Sequence, residues 1–297
     1  MAVLLRRRLL LLHLLLAIFV AASRGDQSGE DYTTTICNLQ PYTCGGVNIS
    51  YRFYLSNQTS DVRGKNGSYC GYPGLGIDCV GGKYPTLNLD YYSYNVTHIN
   101  YTDDTISLAD PDVLDDESCP RVDHNVTVPP IMWLMNSTED TTGYLLFFAN
   151  CSISTLPDEP HIKPIACACP DDGGNGYSFV VPSYVPHQIL SQQCNDIFVV
   201  PVLQNVSQID QEWSTSGYRN ILELGFQLEV DLSRKSEQCG KCEGSKGRCA
   251  YSGGGEFAGC FCNNGRVEDQ ECNGDGKTFC LLLASFFSFV RSKLLRD

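Results

Sequence analysis

Apolar residues along this chain gather in short runs separated by turn-forming residues, with little of the 3.6-residue recurrence that marks helices. Tyr51-Arg52-Phe53-Tyr54-Leu55, Gly76 to Val80, Thr86 to Leu89 and Tyr92 to Tyr101 are rich in aromatic and β-branched residues and bounded by Gly, Pro, Asn and Lys, which predicts strands. In the last of these, Tyr94, Val96 and His98 oppose Asn95, Thr97 and Ile99 only imperfectly, so its buried face stays unassigned. Tyr144-Leu145-Leu146-Phe147-Phe148 is continuously apolar; such a run suits a buried strand, expected to close the first half of the chain. Further strands are predicted at Tyr177 to Val181, Ile197 to Val206 and Phe226 to Leu232. The single plausible helix covers Gln211 to Leu224, with Gly225 as its C-terminal cap.

The fold class that follows is mostly β: two small disulfide-rich β modules with long loops and little helix. The first occupies 36–103, extended to about 155 by a further disulfide-linked segment. A Pro-rich linker, 156–164, leads to a cysteine-rich second module at 165–272 and a tail at 273–297 with a short apolar run. Residues 103–125 are dense in aspartate without the spacing of a calcium loop, and read as a solvated acidic loop.

Cysteine usage changes the picture most. The chain of 297 residues has 16 cysteines, an abundance that belongs to an oxidising compartment. Cys37, Cys44, Cys70, Cys79, Cys119 and Cys151 make an even set in the first half, with pairing left open. Cys167, Cys169, Cys194, Cys239, Cys242, Cys249, Cys260, Cys262 and Cys272 follow, and Cys280 has no assigned role. The Cys239-x2-Cys242 and Cys260-x-Cys262 pairs could ligate zinc, but behind a secretory leader disulfides are the better reading. Cys167 and Cys169, like Cys260 and Cys262, are too close to pair comfortably with each other, so each is expected to reach a different partner.

That leader is residues 1–23: Arg6-Arg7-Arg8, an apolar run from Leu9 to Val20, then Ala21-Ala22-Ser23. Leu9 to Val20 and the apolar stretch Cys280 to Val290 are both shorter than a membrane span. The tail is read as incidental or as the start of a truncated span. Nine Asn-X-Ser/Thr acceptors stand at Asn48, Asn57, Asn66, Asn95, Asn100, Asn125, Asn136, Asn150 and Asn205, predicting a glycosylated, secreted surface. Asn150 is the doubtful acceptor, because Cys151 lies inside its sequon.

A net charge of −13 argues against a nucleic-acid partner. No nucleophile elbow, zinc-protease, phosphate-loop or kinase motif occurs, and most of the histidines read as ordinary surface or strand residues. No enzyme activity, cofactor or metal is therefore expected. Surface recognition remains, and the first module is rich in tyrosines that could face sugar rings, although each reads first as a core or cross-strand residue.

The stretches Cys37-x6-Cys44-Gly45-Gly46-x-Asn48-Ile49-Ser50-Tyr51-x-Phe53 and Tyr69-Cys70-Gly71-Tyr72-Pro73-Gly74-Leu75-Gly76-Ile77-Asp78-Cys79 resemble the galacturonan-binding module of plant wall-associated receptor kinases. The second half, through Cys239-Gly240-Lys241-Cys242, Gly247-Arg248-Cys249 and Cys260-Phe261-Cys262, resembles the C-terminal module that follows it, most closely in the leaf rust resistance-like group. Arg52 and Tyr54 depart from the family's usual Pro and Trp. The resemblance implies an extracellular, non-catalytic ectodomain at the cell wall, with pectin or an oligogalacturonide as ligand. Plant defence, a membrane span and a cytoplasmic serine/threonine kinase belong to longer relatives. Its ligand would meet Arg52, Tyr54, Arg63, Lys65 and Tyr72. A protein-interaction ectodomain or decoy that contacts other receptor ectodomains is the alternative. Residues 26–103 hold four basic and seven acidic residues, a net of −3, so a polyuronate would need a local cluster rather than a general positive field.

Overall fold

The computed structural model describes residues 37, 40–62, 65–115, 122–136, 143–154, 159–165, 177–215 and 217–272. The expected leader, Arg63, Cys119, Cys167, Cys169, Cys280 and the tail lie outside them.

Strands dominate, as expected, and they form four sheets. A hairpin joins β1 (Tyr42–Cys44) to β2 (Val47–Ile49). The main sheet has seven strands, in the order β10 (Leu134–Asn136), β15 (Phe226–Val230), β9 (Thr105–Ala109), β8 (Tyr92–Asn100), β7 (Tyr84–Leu89), β6 (Gly76–Val80) and β3 (Tyr54–Leu55). All neighbours in it are antiparallel except β3 and β6. A four-stranded sheet runs β12 (Lys163–Pro164), β13 (Tyr177–Pro182), β11 (Gly143–Cys151) and β14 (Cys194–Val202). The last sheet runs β18 (Val267–Glu268), β17 (Phe257–Phe261), β16 (Arg248–Tyr251), β5 (Lys65–Cys70) and β4 (Ser60–Val62).

The two halves of the chain interleave. Phe226–Val230 pairs with Thr105–Ala109 on one side and with Leu134–Asn136 on the other, while Arg248–Tyr251 pairs with Lys65–Cys70. Thr105–Ala109 falls inside the stretch expected to be a solvated acidic loop. Every one of its residues is buried, the polar Thr105 and Ser107 included, and its polar–apolar alternation is too short to stand out among the flanking aspartates. Asp104 and Asp110 also leave that expectation: one pairs with Arg52 and the other is buried. The run at 144–148 likewise does not close the first half. It is an inner strand of the four-stranded sheet, flanked by β13 and β14, and both its faces are buried because Leu145 and Phe147 enter one core cluster while Leu146 and Phe148 enter another.

The imperfect alternation of β8 has a geometric cause. A bulge between Val96 and His98 shifts the phase, so Tyr94 and Val96 face the core, then Ile99 does, and His98 faces out. An extra residue in one strand does this wherever it occurs.

Helix is more frequent than expected. The predicted helix at 211–224 is replaced by α3 (Val206–Thr215) and α4 (Tyr218–Glu223); α4 stops at Gly225, whose N–H bonds Leu222 O at φ +70°. Asn205 and Gln208 bond each other reciprocally at the start of α3, a capping box. Short helices α1 (Pro111–Asp115) and α2 (Gln188–Gln193) were not foreseen, nor was α5 (Glu237–Gly244). Helix α5 is capped by Ser236, whose side chain accepts from Cys239 N.

Six disulfides are formed among the described cysteines. Cys37–Cys70 and Cys44–Cys79 tie the first module. Cys239–Cys249, Cys242–Cys260 and Cys262–Cys272 tie the last, so Cys260 and Cys262 do reach different partners. Cys151 corrects the expected set of six: it pairs with Cys194, its register partner across β11 and β14, beyond the expected linker. The last residues of that linker, Lys163 and Pro164, themselves form the edge strand β12.

The junction between the first module and the C-terminal disulfide cluster centres on Glu243. Cys239, Cys242 and Glu243 share one face of α5 because residues three and four apart are neighbours on a helix. The Glu243 carboxylate accepts hydrogen bonds from Tyr51 Oη (2.8 Å), Tyr72 Oη (2.6 Å) and Lys235 Nζ (2.9 Å), and Tyr51 Oη in turn accepts from Cys249 N. Around this group lies a chain of rings: Tyr51 against Tyr72, Tyr72 against Trp133, Trp133 against Tyr251, Tyr251 against Tyr69, and Tyr69 stacked on Tyr54 at 4.2 Å. Gly74 lets the Cys-Gly-Tyr-Pro-Gly turn enter this cluster; at φ +80° a Cβ there would lie 2.6 Å from Met132 Cγ.

Burial alone would raise the Glu243 pKa, but the hydrogen bonds from Tyr72, Lys235 and Tyr51 outweigh it and hold the carboxyl below its ordinary 4.5. A lowered carboxyl pKa contributes stability that is present above the ordinary value and lost as the pH falls through the folded one. Glu243→Ala is expected to cost about 3 kcal/mol, as for one partner removed from a buried charged network. Glu243→Gln should flatten the loss of stability on acidification below 4.5; an unchanged acid limb in denaturant titrations would contradict the clamp. Replacing Cys151 and Cys194 together by Ser, which opens a link of sequence separation 43, should lower stability by about 4 kcal/mol on the chain-entropy account. A loss under about 1 kcal/mol would show that the β11–β14 ladder holds that end alone.

Candidate functional site

The first module carries a shallow cleft between the β1–β2 hairpin and β3. Its walls include Tyr42, Ile49, Ser50, Tyr51, Tyr54 and Gln58, and Arg248 of β16 stands beside them. The hairpin turns at Gly45 and Gly46, both at positive φ, and is fixed by Tyr101, whose hydroxyl accepts from Ser50 N at 2.7 Å and donates to Asn48 O at 2.9 Å. Strand alternation sends Tyr42 and its register partner Ile49 to the cleft side, and Thr43 and Asn48, which bond each other, to the opposite side.

Tyr42 is exposed, whereas Tyr51 and Tyr54 show only part of their rings. The Arg248 guanidinium carbon sits 5.8 Å from the Tyr51 ring centroid, a cation–π distance. Burial lowers the Arg248 pKa and Tyr51 opposes that, yet arginine remains charged at any physiological pH. Burial first, then the Glu243 charge, drives the Tyr51 pKa upward; burial and Tyr69 do the same for Tyr54. Both phenols therefore stay neutral donors. The cleft thus offers aromatic faces, hydroxyl and amide groups, and one cation.

The residues expected from the sequence are dispersed. Tyr54 lines the cleft. Arg52 is ion-paired with Asp104 and is not among the lining residues. Tyr72 has no exposed surface and donates to Glu243, so it serves the core and not a ligand. Lys65 opens β5, and Arg63 lies outside the described residues. Of the tyrosines weighed as sugar platforms, Tyr69, Tyr72 and Tyr94 are buried, while Tyr42, Tyr84, Tyr91 and Tyr92 are exposed. Arg248 escapes a sequence reading because it stands far along the chain from the cleft it joins; only the β16–β5 pairing brings it there.

His124 is the exception among histidines expected to be mostly ordinary. It is 6% exposed, stacked on Tyr92 at 3.6 Å, and bonded to Tyr94 Oη at 2.8 Å and Asp123 Oδ1 at 3.2 Å. Asp110 Oδ2 lies 3.5 Å from its Nε2, and burial raises the Asp110 pKa. With Tyr94 and Asp110 buried beside it, this group ties the 122–128 segment to the main sheet. The cysteines of the C-terminal cluster are engaged in disulfides, which removes the thiolates a zinc site would need. Among the described residues, no helix is long and apolar enough to cross a membrane.

Comparison with known proteins agrees with this arrangement. The wall-associated receptor kinase galacturonan-binding family matches residues 37–110, and the wall-associated receptor kinase C-terminal family matches residues 168–265. The chain is similar to the leaf rust 10 disease-resistance locus receptor-like protein kinase-like 1.2 of Arabidopsis thaliana, with 29% identity over 240 residues, covering 79% of this chain and 34% of that protein. It is also similar to the 1.4 relative from the same plant, at 23% identity over 217 residues, 71% of this chain and 28% of that one. The chain therefore spans about a third of the length of the first of these relatives. No solved structure matches it. Residues 37–110 and 168–265 thus match the galacturonan-binding and C-terminal modules described for wall-associated receptor kinases, and the chain is homologous to leaf rust 10 receptor-like kinase-like proteins.

Proposed function

We propose that the chain is an extracellular binder of cell-wall polysaccharide, and that de-esterified pectin is its ligand, held as a short galacturonan segment in the cleft beside Arg248. The observation that carries this reading is the match of residues 37–110 to the galacturonan-binding module, the same residues that build most of the cleft wall. The chemistry of the wall suits a uronate: an exposed ring face at Tyr42, hydroxyl and amide groups at Ser50 and Gln58, and a guanidinium for the carboxylate. A planar guanidinium pairs with a carboxylate through two parallel N–H donors.

Arg248 supplies the charge-assisted contact because it lines the cleft, whereas Arg52, which pairs with Asp104, does not. Arg248→Ala is expected to weaken binding to oligogalacturonides by about tenfold to a hundredfold, the worth of one charge-assisted hydrogen-bonded contact. Arg248→Lys should restore part of it, and Arg52→Ala should change affinity by less than about twofold. Calorimetry at moderate salt, with reducing-agent-free mass analysis to confirm that the disulfides persist, measures all three. Wild-type affinity in Arg248→Ala would refute the site. Absence of any binding to de-esterified pectin on a glycan array would refute the ligand and favour a protein partner.

A further inference from the structure

We propose that Asn125 carries an N-linked glycan whose role is to close the open edge of the four-stranded sheet. Strand β14 is the last strand of that sheet and pairs on one side only, with β11. Its register is continuous from Val202 opposite Gly143 to Asp196 opposite Ala149, so alternate residues turn their backbone groups outward. Val199 belongs to the outward set, because its N–H donates to Asn125 Oδ1 at 2.8 Å. Period two adds Ile197 and Pro201. Pro201 has no N–H to offer, and the Val199 donor is taken by a side chain; proline and capped donors are means by which proteins blunt an edge.

The side chains remain a hazard. Ile197 and Val199 are each 41% exposed, β-branched and apolar, on a strand whose end is pinned by Cys151–Cys194. An exposed apolar edge of this kind invites pairing with another chain.

Asn125 begins the acceptor Asn125-Val126-Thr127, and both Asn125 and Thr127 are exposed. Its bond to Val199 uses Oδ1, while glycosylation uses Nδ2, so the cap and the glycan are compatible. Asn150 and Asn100 differ: their Nδ2 atoms donate to Asp196 Oδ2 at 2.5 Å and to Asp103 Oδ2 at 2.8 Å. The transfer takes a preassembled oligosaccharide from a lipid-diphosphate donor. The glycosyl C1–O bond breaks with its electron pair leaving on the diphosphate, the C1–Nδ2 bond forms, and one Nδ2 proton is lost to base. The product sets a bulky hydrated group beside Ile197 and Val199, where a second strand would have to dock.

Thr127→Ala separates glycan from cap, because it destroys the acceptor and keeps the Asn125–Val199 bond. The full chain secreted from a eukaryotic host is digested with an amidase that marks formerly glycosylated asparagines in heavy-oxygen water, and the wild type should be marked at Asn125. Thr127→Ala should lose one glycan by intact mass, keep the wild-type melting temperature, and shift toward dimers or larger species in light scattering. Adding Val199→Lys should reverse that shift. An unmarked Asn125 in the wild type would overturn the proposal, as would a Thr127→Ala protein with unchanged association. If that variant is not secreted, enzymatic trimming of the folded wild type provides the same comparison of association state.

Discussion

The architecture depends on one half-buried carboxylate. Glu243 receives Tyr51 and Tyr72 from the first module and Lys235 from the segment before its own helix, and it does so from a helix whose other inward residues, Cys239 and Cys242, anchor two disulfides. A partly desolvated carboxylate with fewer donors would be costly to bury; with three it becomes a fixed point that sets the height and rotation of α5 against the first module. Burial first, then the neighbouring Glu243, pushes both phenols up, while the hydrogen bonds from Tyr72, Lys235 and Tyr51 outweigh burial and hold Glu243 down. Each phenol keeps its own proton and donates it.

From that point the cleft follows geometrically. Tyr51 is shared: its hydroxyl belongs to the Glu243 group, its ring faces the cleft, and Arg248 lies over it. The residue that joins the two modules therefore also positions the cation at the cleft wall. Neither matched module would assemble this wall alone, since 37–110 contributes the rings and 168–265 contributes the guanidinium. The interleaved sheets make the same point on a larger scale, with Phe226–Val230 completing a sheet begun by strands of the first module. Such non-local pairing is expensive in loop entropy before it is formed, and the disulfides limit how far the open chain can wander.

How much of this was legible follows from what a sequence can encode locally. Strands at 76–80, 84–89 and 92–100 were readable because their turns and alternation are local. Thr105–Ala109 was not, because its alternation runs for only five residues among aspartates and its polar members Thr105 and Ser107 are buried along with the apolar ones. Helix α5 was not legible although Ser236 caps it, because its buried residues are two cysteines rather than a stripe of aliphatic ones. Tyr72 and Tyr54 were indistinguishable as candidate ligand residues, since burial separates them and burial comes from Trp133 and Tyr251, distant in the chain. Arg52 looked available for the same reason: its partner Asp104 stands far along the chain, in the turn between β8 and β9.

An acidic protein that binds a polyanion must do so without help from its overall field. At −13 the long-range term opposes the approach of a uronate chain, and at physiological ionic strength it is screened beyond about 8 Å. What remains is short-range, and there the arrangement at Tyr51 is favourable. A guanidinium half-removed from water next to a neutral ring keeps more of its attraction for a carboxylate than one fully solvated, while the Glu243 carboxylate behind that ring is paired with Lys235. Binding of this kind would be slow to gain from diffusion and selective for spacing along the polymer, because one fixed cation reads one carboxylate and the flanking rings read the sugar between them.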